Sequence, residues 1–167
     1  LAQRVLSGGS VNVLAPQRVV GYEALPRGAQ VELADGTALS TRLLVAADGA
    51  LSGVRELAAM PTREWDYNHH AIVCTVEVER PHQNTAWQRF SSTGPLAFLP
   101  LSSQSGRHYC SIVWSQQNEI AEELLALDDA AFSQALGDAI EWRLGQIVAL
   151  SARAGFPLRQ RHATDYV

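Results

Sequence analysis

The stretch Leu43–Arg55 reads LLVAADGALSGVR. Its first five residues are an unbroken apolar run, the pattern of a strand buried on both faces. Asp48 and Gly49 end the run abruptly. Ser52 can then accept a backbone N–H and cap a short helix through Val54, Arg55, Leu57 and Ala58 to Met60, before Pro61 stops it. The expected order is strand, carboxylate, tight turn, helix. In open α/β sheets ligands bind just outside the carboxyl ends of strands, so Asp48 stands where a ligand hydroxyl can be held. Asp-Gly is also a common turn dipeptide, and on its own it reads as a turn.

Upstream, Val11–Leu14 and Arg18–Ala24 read as strands. Ala29–Leu33 and Thr37–Thr41 flank Asp35-Gly36, which predicts a hairpin closed by a type I′ turn and leaves Asp35 no role beyond that turn. Downstream of Pro61 the texture changes. His70–Glu79 alternates, with Ile72, Cys74, Val76 and Val78 on one face, as in a half-buried antiparallel strand. Thr85–Ser91, Leu96–Leu101 and Arg107–Ser115 read as further strands, with Pro100 fixing an edge or a strand end. Asn118 or Ser115 is positioned to cap a helix carrying Ile120, Leu124 and Leu127. Asp128 is positioned to cap a second helix, in which Phe132, Leu136, Ile140 and Leu144 recur every four residues up to Gly145. Ile147–Arg159 returns to alternation.

The chain has 167 residues, 47% of them hydrophobic and 18% charged, enough for a packed core and unlike a disordered segment. Its net charge of −4 argues against binding a nucleic-acid backbone. All 13 basic residues are arginine, which removes lysine Schiff-base chemistry and a Walker-type phosphate lysine. Cys74 and Cys110 read as buried free thiols, which suggests a cytoplasmic setting. No apolar run reaches the ~18 residues of a membrane span, and no signal peptide is visible. No metal site is expected. His69 and His70 are adjacent and point to opposite faces of a strand, and His82 and His108 have no ligand spacing with them. Gly137-Asp138 lies inside an amphipathic helix and reads as a pair on its surface.

The apolar run, Asp48-Gly49, Ser52 three residues after Gly49 and Arg55 three further on resemble the Asp-Gly motif of flavin-dependent aromatic hydroxylases. The resemblance implies that Asp48, Gly49, Ser52 and Arg55 bind the cofactor, Asp48 on the ribityl part of FAD, with NAD(P)H as reductant. The second half adds Trp65-Asp66-Tyr67, His69-His70-Ala71, Pro81-His82, Gln88-x-Phe90, Leu96–Leu101, Ser111–Ser115, Arg143-Leu144-Gly145 and Phe156-Pro157-Leu158, in that order. Together these are similar to the ubiquinone-biosynthesis hydroxylases over nearly the whole chain. The resemblance implies an α+β fragment of the aromatic hydroxylase fold. Residues 1–61 would be a partial FAD-binding domain with a β-meander and the Asp48 strand. Residues 62–167 would be a substrate domain, cut at its C-terminus, with a mixed or antiparallel sheet and helices on one face.

The implied reaction is ring hydroxylation of a polyprenyl phenol through a flavin hydroperoxide, with the strands from His70 to Leu101 walling the substrate chamber. Gln88, Arg89, Phe90, Leu96 and Phe98 are the candidate substrate-binding residues, and the resemblance names no catalytic residue. Two other readings remain at this point: a flavin hydroxylase of a water-soluble phenol, and a non-enzymatic prenyl- or lipid-binding module. Expected partners are the polyprenyl phenol, the inner-membrane periphery or other ubiquinone-biosynthesis proteins, and a second copy of the chain. The Gly-x-Gly-x-x-Gly and later Gly-Asp motifs of the family are absent from these 167 residues. Both ends read as cut, so the chain alone is expected to hold FAD poorly, to be colourless and inactive, and to self-associate through Thr85–Leu101.

Overall fold

A computed structural model describes residues 11–103 and 105–165. It resolves into two compact units, Leu1–Arg63 with Arg161–Val167, and Glu64–Gln160. The division at residue 61 placed everything after it in the second domain. The structure returns the chain to the first unit at Arg161, whose guanidinium donates to Ala50 O at 2.5 Å, while Thr164 N–H donates to Pro61 O at 2.9 Å.

The first unit holds a three-stranded antiparallel meander, β1 (Val19–Leu25), β2 (Gly28–Leu33) and β3 (Ala38–Thr41). Alternation along β2 buries Ala29, Val31 and Leu33, against which Val19 and Leu44 pack. The β2–β3 connection is a three-residue loop, not the expected two-residue type I′ turn. Gly36 N–H donates to Leu33 O, Leu33 N–H donates to Thr37 O, and the Asp35 carboxylate accepts from Thr37 N–H at 2.9 Å. Val11–Leu14 forms no strand.

Leu43–Ala47 departs from expectation as well. It is not a strand, and Leu43 and Val45 are 74% and 71% exposed. A run buried on both faces needs a neighbouring strand on each side, and among the described residues none pairs with it. Helix α1 (Gly53–Leu57) follows, a little shorter than the sequence pattern suggests.

The second unit is a sheet in the order β5-β6-β7-β4-β8, with β9 also paired to β4. Its strands are β4 (Thr62–Val78), β5 (Trp87–Ser91), β6 (Gly94–Pro100), β7 (His108–Gln117), β8 (Ile147–Leu150) and β9 (Ala154–Ala163). The pairs β4–β7, β4–β8, β5–β6 and β6–β7 are all antiparallel. Pro100 ends β6, where its missing N–H costs the ladder least. Ile147–Arg159 is two strands, because the chain breaks at 151–153.

Helices α2 (Asn118–Ala126) and α3 (Asp129–Ala139) supply the other side of the core. Phe132, Leu136, Ile140 and Leu144 are all buried with Ile72, Cys74, Val76, Phe98, Ile112 and Trp114. Each large side chain there is worth roughly 1.5–3 kcal/mol of burial. Asp128 caps α3 as expected, accepting from Ala131 N–H at 2.8 Å. Three details differ. The residue before α2 is Gln117, which makes no capping bond, while Asn118 Oδ1 lies 2.9 Å from His70 Nδ1 across the sheet edge. Helix α3 ends at Ala139, so Leu144 reaches the core from the loop beyond it. Gly137 is buried beneath the Trp142 ring rather than on the surface, and only Asp138 is exposed, accepting from Trp142 Nε1 at 2.9 Å.

Both cysteines are buried and free, and burial pushes each thiol up to about 11. Among the described residues no helix is long and apolar enough to cross a membrane.

Candidate functional site

The Asp48 turn follows directly from local chemistry. Ser52 Oγ accepts from Arg55 N–H at 3.0 Å, capping α1, and donates to Asp48 Oδ1. Asp48 Oδ2 accepts from Val54 N–H at 3.2 Å. The Ser52 hydroxyl, then the Val54 amide, hold the Asp48 carboxyl below the usual carboxylate range. Arg55 turns back and donates to Ala50 O at 2.9 Å. Gly49 takes φ +84°, and a side chain there would meet nothing within 4 Å, so the approach to the turn is open.

All four residues expected at the cofactor therefore gather in one turn. Asp48 is exposed, and a carboxylate offers about four acceptor directions, of which two are used here. The carboxylate fits a ligand hydroxyl that donates to it: the anion is oriented by its own helix and keeps acceptor capacity toward solvent. Beside it, a cavity of about 510 Å³ lies between Leu43–Ala46, Tyr22 on β1 and Met60.

In the second unit the register separates the five substrate candidates. Trp87 pairs with Phe98 and Arg89 with Leu96, so these four side chains share the helix-covered face. Leu96 and Phe98 are 2% and 0% exposed and belong to the core. Arg89 is tied to α3, donating to Ala139 O at 2.7 Å and meeting Glu141 at 3.1 Å. It anchors the edge strand to the end of the helix. Gln88 and Phe90 lie on the opposite face, where Phe90 is 76% exposed.

That open face continues across the sheet. Gln88 pairs with Ala97, Ala97 with Val113 and Val113 with Val73, while Leu99 follows Ala97 on the same side. Its far end is polar. Arg107 forms a two-pronged pair with Glu77, Nε donating to Oε1 at 3.0 Å, and its guanidinium sits 5.7 Å from the Tyr109 ring centroid. Hydrogen bonding from Arg107 holds the Glu77 carboxyl below the usual glutamate range. The anion therefore stabilises the fold above the ordinary glutamate range, and the contribution is lost as pH falls through the lowered native value. Glu77→Gln is expected to flatten the acid side of a plot of urea midpoint against pH. An unchanged acid slope would show that the pair contributes nothing.

Xenopus tropicalis COQ6, a mitochondrial ubiquinone biosynthesis monooxygenase, is 37% identical over 173 residues, covering 83% of this chain and 36% of the relative. Ubiquinone hydroxylase UbiL of Rhodospirillum rubrum is 34% identical, covering 95% of this chain and 36% of the relative. The chain is a homologue of the ubiquinone-biosynthesis monooxygenases. The 3-demethoxyubiquinol 3-hydroxylase of Escherichia coli is 33% identical over 83% of the chain and 34% of the enzyme. The chain thus spans about a third of the length of these ubiquinone-biosynthesis monooxygenases. No family model matches it. Among solved structures, PqsL, a probable FAD-dependent monooxygenase from Pseudomonas aeruginosa, superposes with a TM-score of 0.69 at 23% identity. It covers 94% of this chain and 44% of PqsL. Aklavinone-11 hydroxylase, solved in a ternary complex with FAD and aklavinone, gives 0.53 at 17%, covering 90% of this chain and 30% of the hydroxylase. Both show the fold.

Sequence reading missed Ala97, Leu99, Val113 and Val73, which carry the open face in this homologue of the ubiquinone-biosynthesis monooxygenases. Period-two alternation in LAFLP already separates Leu96 and Phe98 from Ala97 and Leu99. Which set meets the helices is fixed only by pairing with β7.

Proposed function

We propose that this chain is part of an FAD-dependent monooxygenase that hydroxylates the aromatic ring of a polyprenyl phenol on the route to ubiquinone, with NAD(P)H as reductant. The observation that carries the reading is the two-faced sheet of the second unit, one face closed by α2 and α3, the other carrying exposed Phe90 and Leu99 and half-buried Val113 among the polar Gln88, Ser111 and Thr75. Kinship with enzymes named for ubiquinone biosynthesis supports a prenylated substrate for that face. An apolar wall suits an isoprenoid tail, and a few polar groups beside it suffice to orient a phenol.

FAD, when bound, supplies the oxygen-transfer chemistry. Asp48 would accept from a hydroxyl of its ribityl chain, with Ser52 and the Val54 amide holding the carboxylate in place. On the open face, Phe90 and Leu99 exclude water from an apolar ligand, and Gln88 offers a donor and an acceptor to a ring substituent. Arg89 positions β5 through its bond to α3. The test is expression of the gene carrying this sequence in a bacterium lacking its ring hydroxylase, with extracted quinones identified by mass. Hydroxylated prenyl phenols are expected, with turnover that falls as the tail is shortened. Equal turnover on a tail-less phenol would point to a water-soluble substrate, and no product at all would leave a lipid-binding module.

A further inference from the structure

Two guanidiniums from distant parts of the chain meet at the Asp48 turn. Arg55 Nη2 donates to Ala50 O at 2.9 Å, and Arg161 Nη1 donates to the same oxygen at 2.5 Å. Arg161 lies 111 residues beyond Ala50, near the end of β9, yet belongs to the same compact unit as the turn. One neutral carbonyl accepts from both cations and neutralises neither. A guanidinium carries more N–H donors than one carbonyl uses. For Arg55 the bond to Ala50 is the single hydrogen bond its guanidinium makes among the described residues. The N–H groups of Gly49 and Ala50 make none among those residues. A side chain at Gly49 would meet nothing within 4 Å, so these donors are open to a ligand. The Asp48 carboxylate stands in the same turn with acceptor capacity left for a hydroxyl.

We propose that Arg55 and Arg161 clamp the diphosphate of a dinucleotide whose hydroxyls reach Asp48. An anion seated between two guanidiniums is attracted by both. Guanidinium forks match phosphoryl oxygens two at a time, and two forks suit two phosphoryl groups. A bare phosphate meets the arginines but is repelled by Asp48 and leaves its spare acceptor directions unused. A polyol or sugar joined to a diphosphate satisfies both kinds of group. FAD and a nicotinamide dinucleotide share this chemistry, and the experiment separates them. The clamp rests on the reading of this chain as part of an FAD enzyme, and it adds Arg161 to the residues of that cofactor region. The return of the chain to the first unit after the sheet then completes a ligand site as well as a fold.

The experiment titrates the flavin-free enzyme carrying this sequence with FAD and with riboflavin, followed by flavin fluorescence. The same enzyme at saturating FAD is titrated with NADPH and NADH. Arg161→Gln is expected to weaken a dinucleotide on the order of tenfold or more, the scale of a lost hydrogen bond to a charged group. Riboflavin, which has no phosphate, should bind as before. A loss on FAD assigns the diphosphate to the flavin. A loss on the nicotinamide dinucleotides with FAD unchanged assigns it to the reductant. Arg161→Lys keeps a charge and a donor for Ala50 O but not the fork, so it should melt with the native protein and recover only part of the affinity. Arg80→Gln removes the same charge from an exposed position in the second unit and should change no affinity. Circular dichroism verifies that each variant is folded. Equal losses on FAD and riboflavin would show that Arg161 only ties β9 to the turn, and would overturn the clamp. Native affinity of Arg161→Gln for every dinucleotide would overturn it too. In both cases flavin uptake by the native enzyme leaves the FAD reading standing. A native enzyme that binds no flavin overturns that reading and the clamp with it.

Discussion

Gly94→Ala is expected to lower the melting temperature by roughly 10 °C, a loss of about 4 kcal/mol. Gly94 opens β6 opposite Ser91, with φ +145°, a conformation that L side chains rarely adopt. A Cβ built there would lie 2.1 Å from Ser115 O and 2.9 Å from Ser115 C. Those are backbone atoms of β7, so no side chain can swing aside to make room. Strand β6 must move away from β7, and the pairs Leu96–Trp114 and Phe98–Ile112 beneath it lose their packing. Gly53→Ala is the matched control: an added Cβ there meets nothing within 4 Å. It should be neutral or slightly stabilising, because alanine favours the helix that starts at that residue. A Gly94→Ala protein that melts with the native one would show that β6 tolerates a shift.

Asp48→Ala is expected to weaken FAD retention in the enzyme carrying this sequence by on the order of tenfold or more, the scale of a hydrogen bond to a charged group. Ser52→Ala should produce a smaller loss, because the carboxylate remains but loses the hydroxyl that orients it. Asp48→Asn separates charge from geometry. It can still accept from Ser52, so a loss close to that of alanine would assign the effect to the negative charge. Flavin absorbance after gel filtration and fluorescence titration with FAD provide the readout. Melting of the second unit should not change, since Asp48 bonds only within its own turn. Normal flavin content in Asp48→Ala would remove the residue from the cofactor site and leave it as a support for α1.

How much could be read in advance depended on whether neighbours or the residue itself set the outcome. The alternation from Ile72 to Val78 survives intact, because a strand with one buried face declares that face in its own sequence. So does the four-residue recurrence from Phe132 to Leu144, although the helix stops five residues before Leu144. Ser52 and Asp128 cap as read, since capping is local. Leu43–Ala47 was legible as apolar but not as unpaired, because strand formation depends on partners elsewhere. The Asp48 turn was legible as a constellation. What escaped was that Ser52 and Val54 bind its carboxylate directly, a geometry that appears only when the turn closes. The substrate candidates split for the same reason. Arg89 and Phe90 are adjacent in sequence, yet one is fastened to a helix and the other stands in the open.

The two thiols bear on a different question. Cys74 pairs with Ile112 across the β4–β7 ladder, and Cys110 pairs with Val76. The cysteines are therefore diagonal neighbours, and diagonal positions in an antiparallel pair stand about 7–8 Å apart. A disulfide requires its Cα atoms closer than about 7 Å, so the ladder would have to open to form one. Sealed in the core and fully protonated at neutral pH, these sulfurs would stay reduced in an oxidising compartment as readily as in a reducing one. Their free state follows from strand register, and so it carries no information about the cellular redox environment in which the protein works.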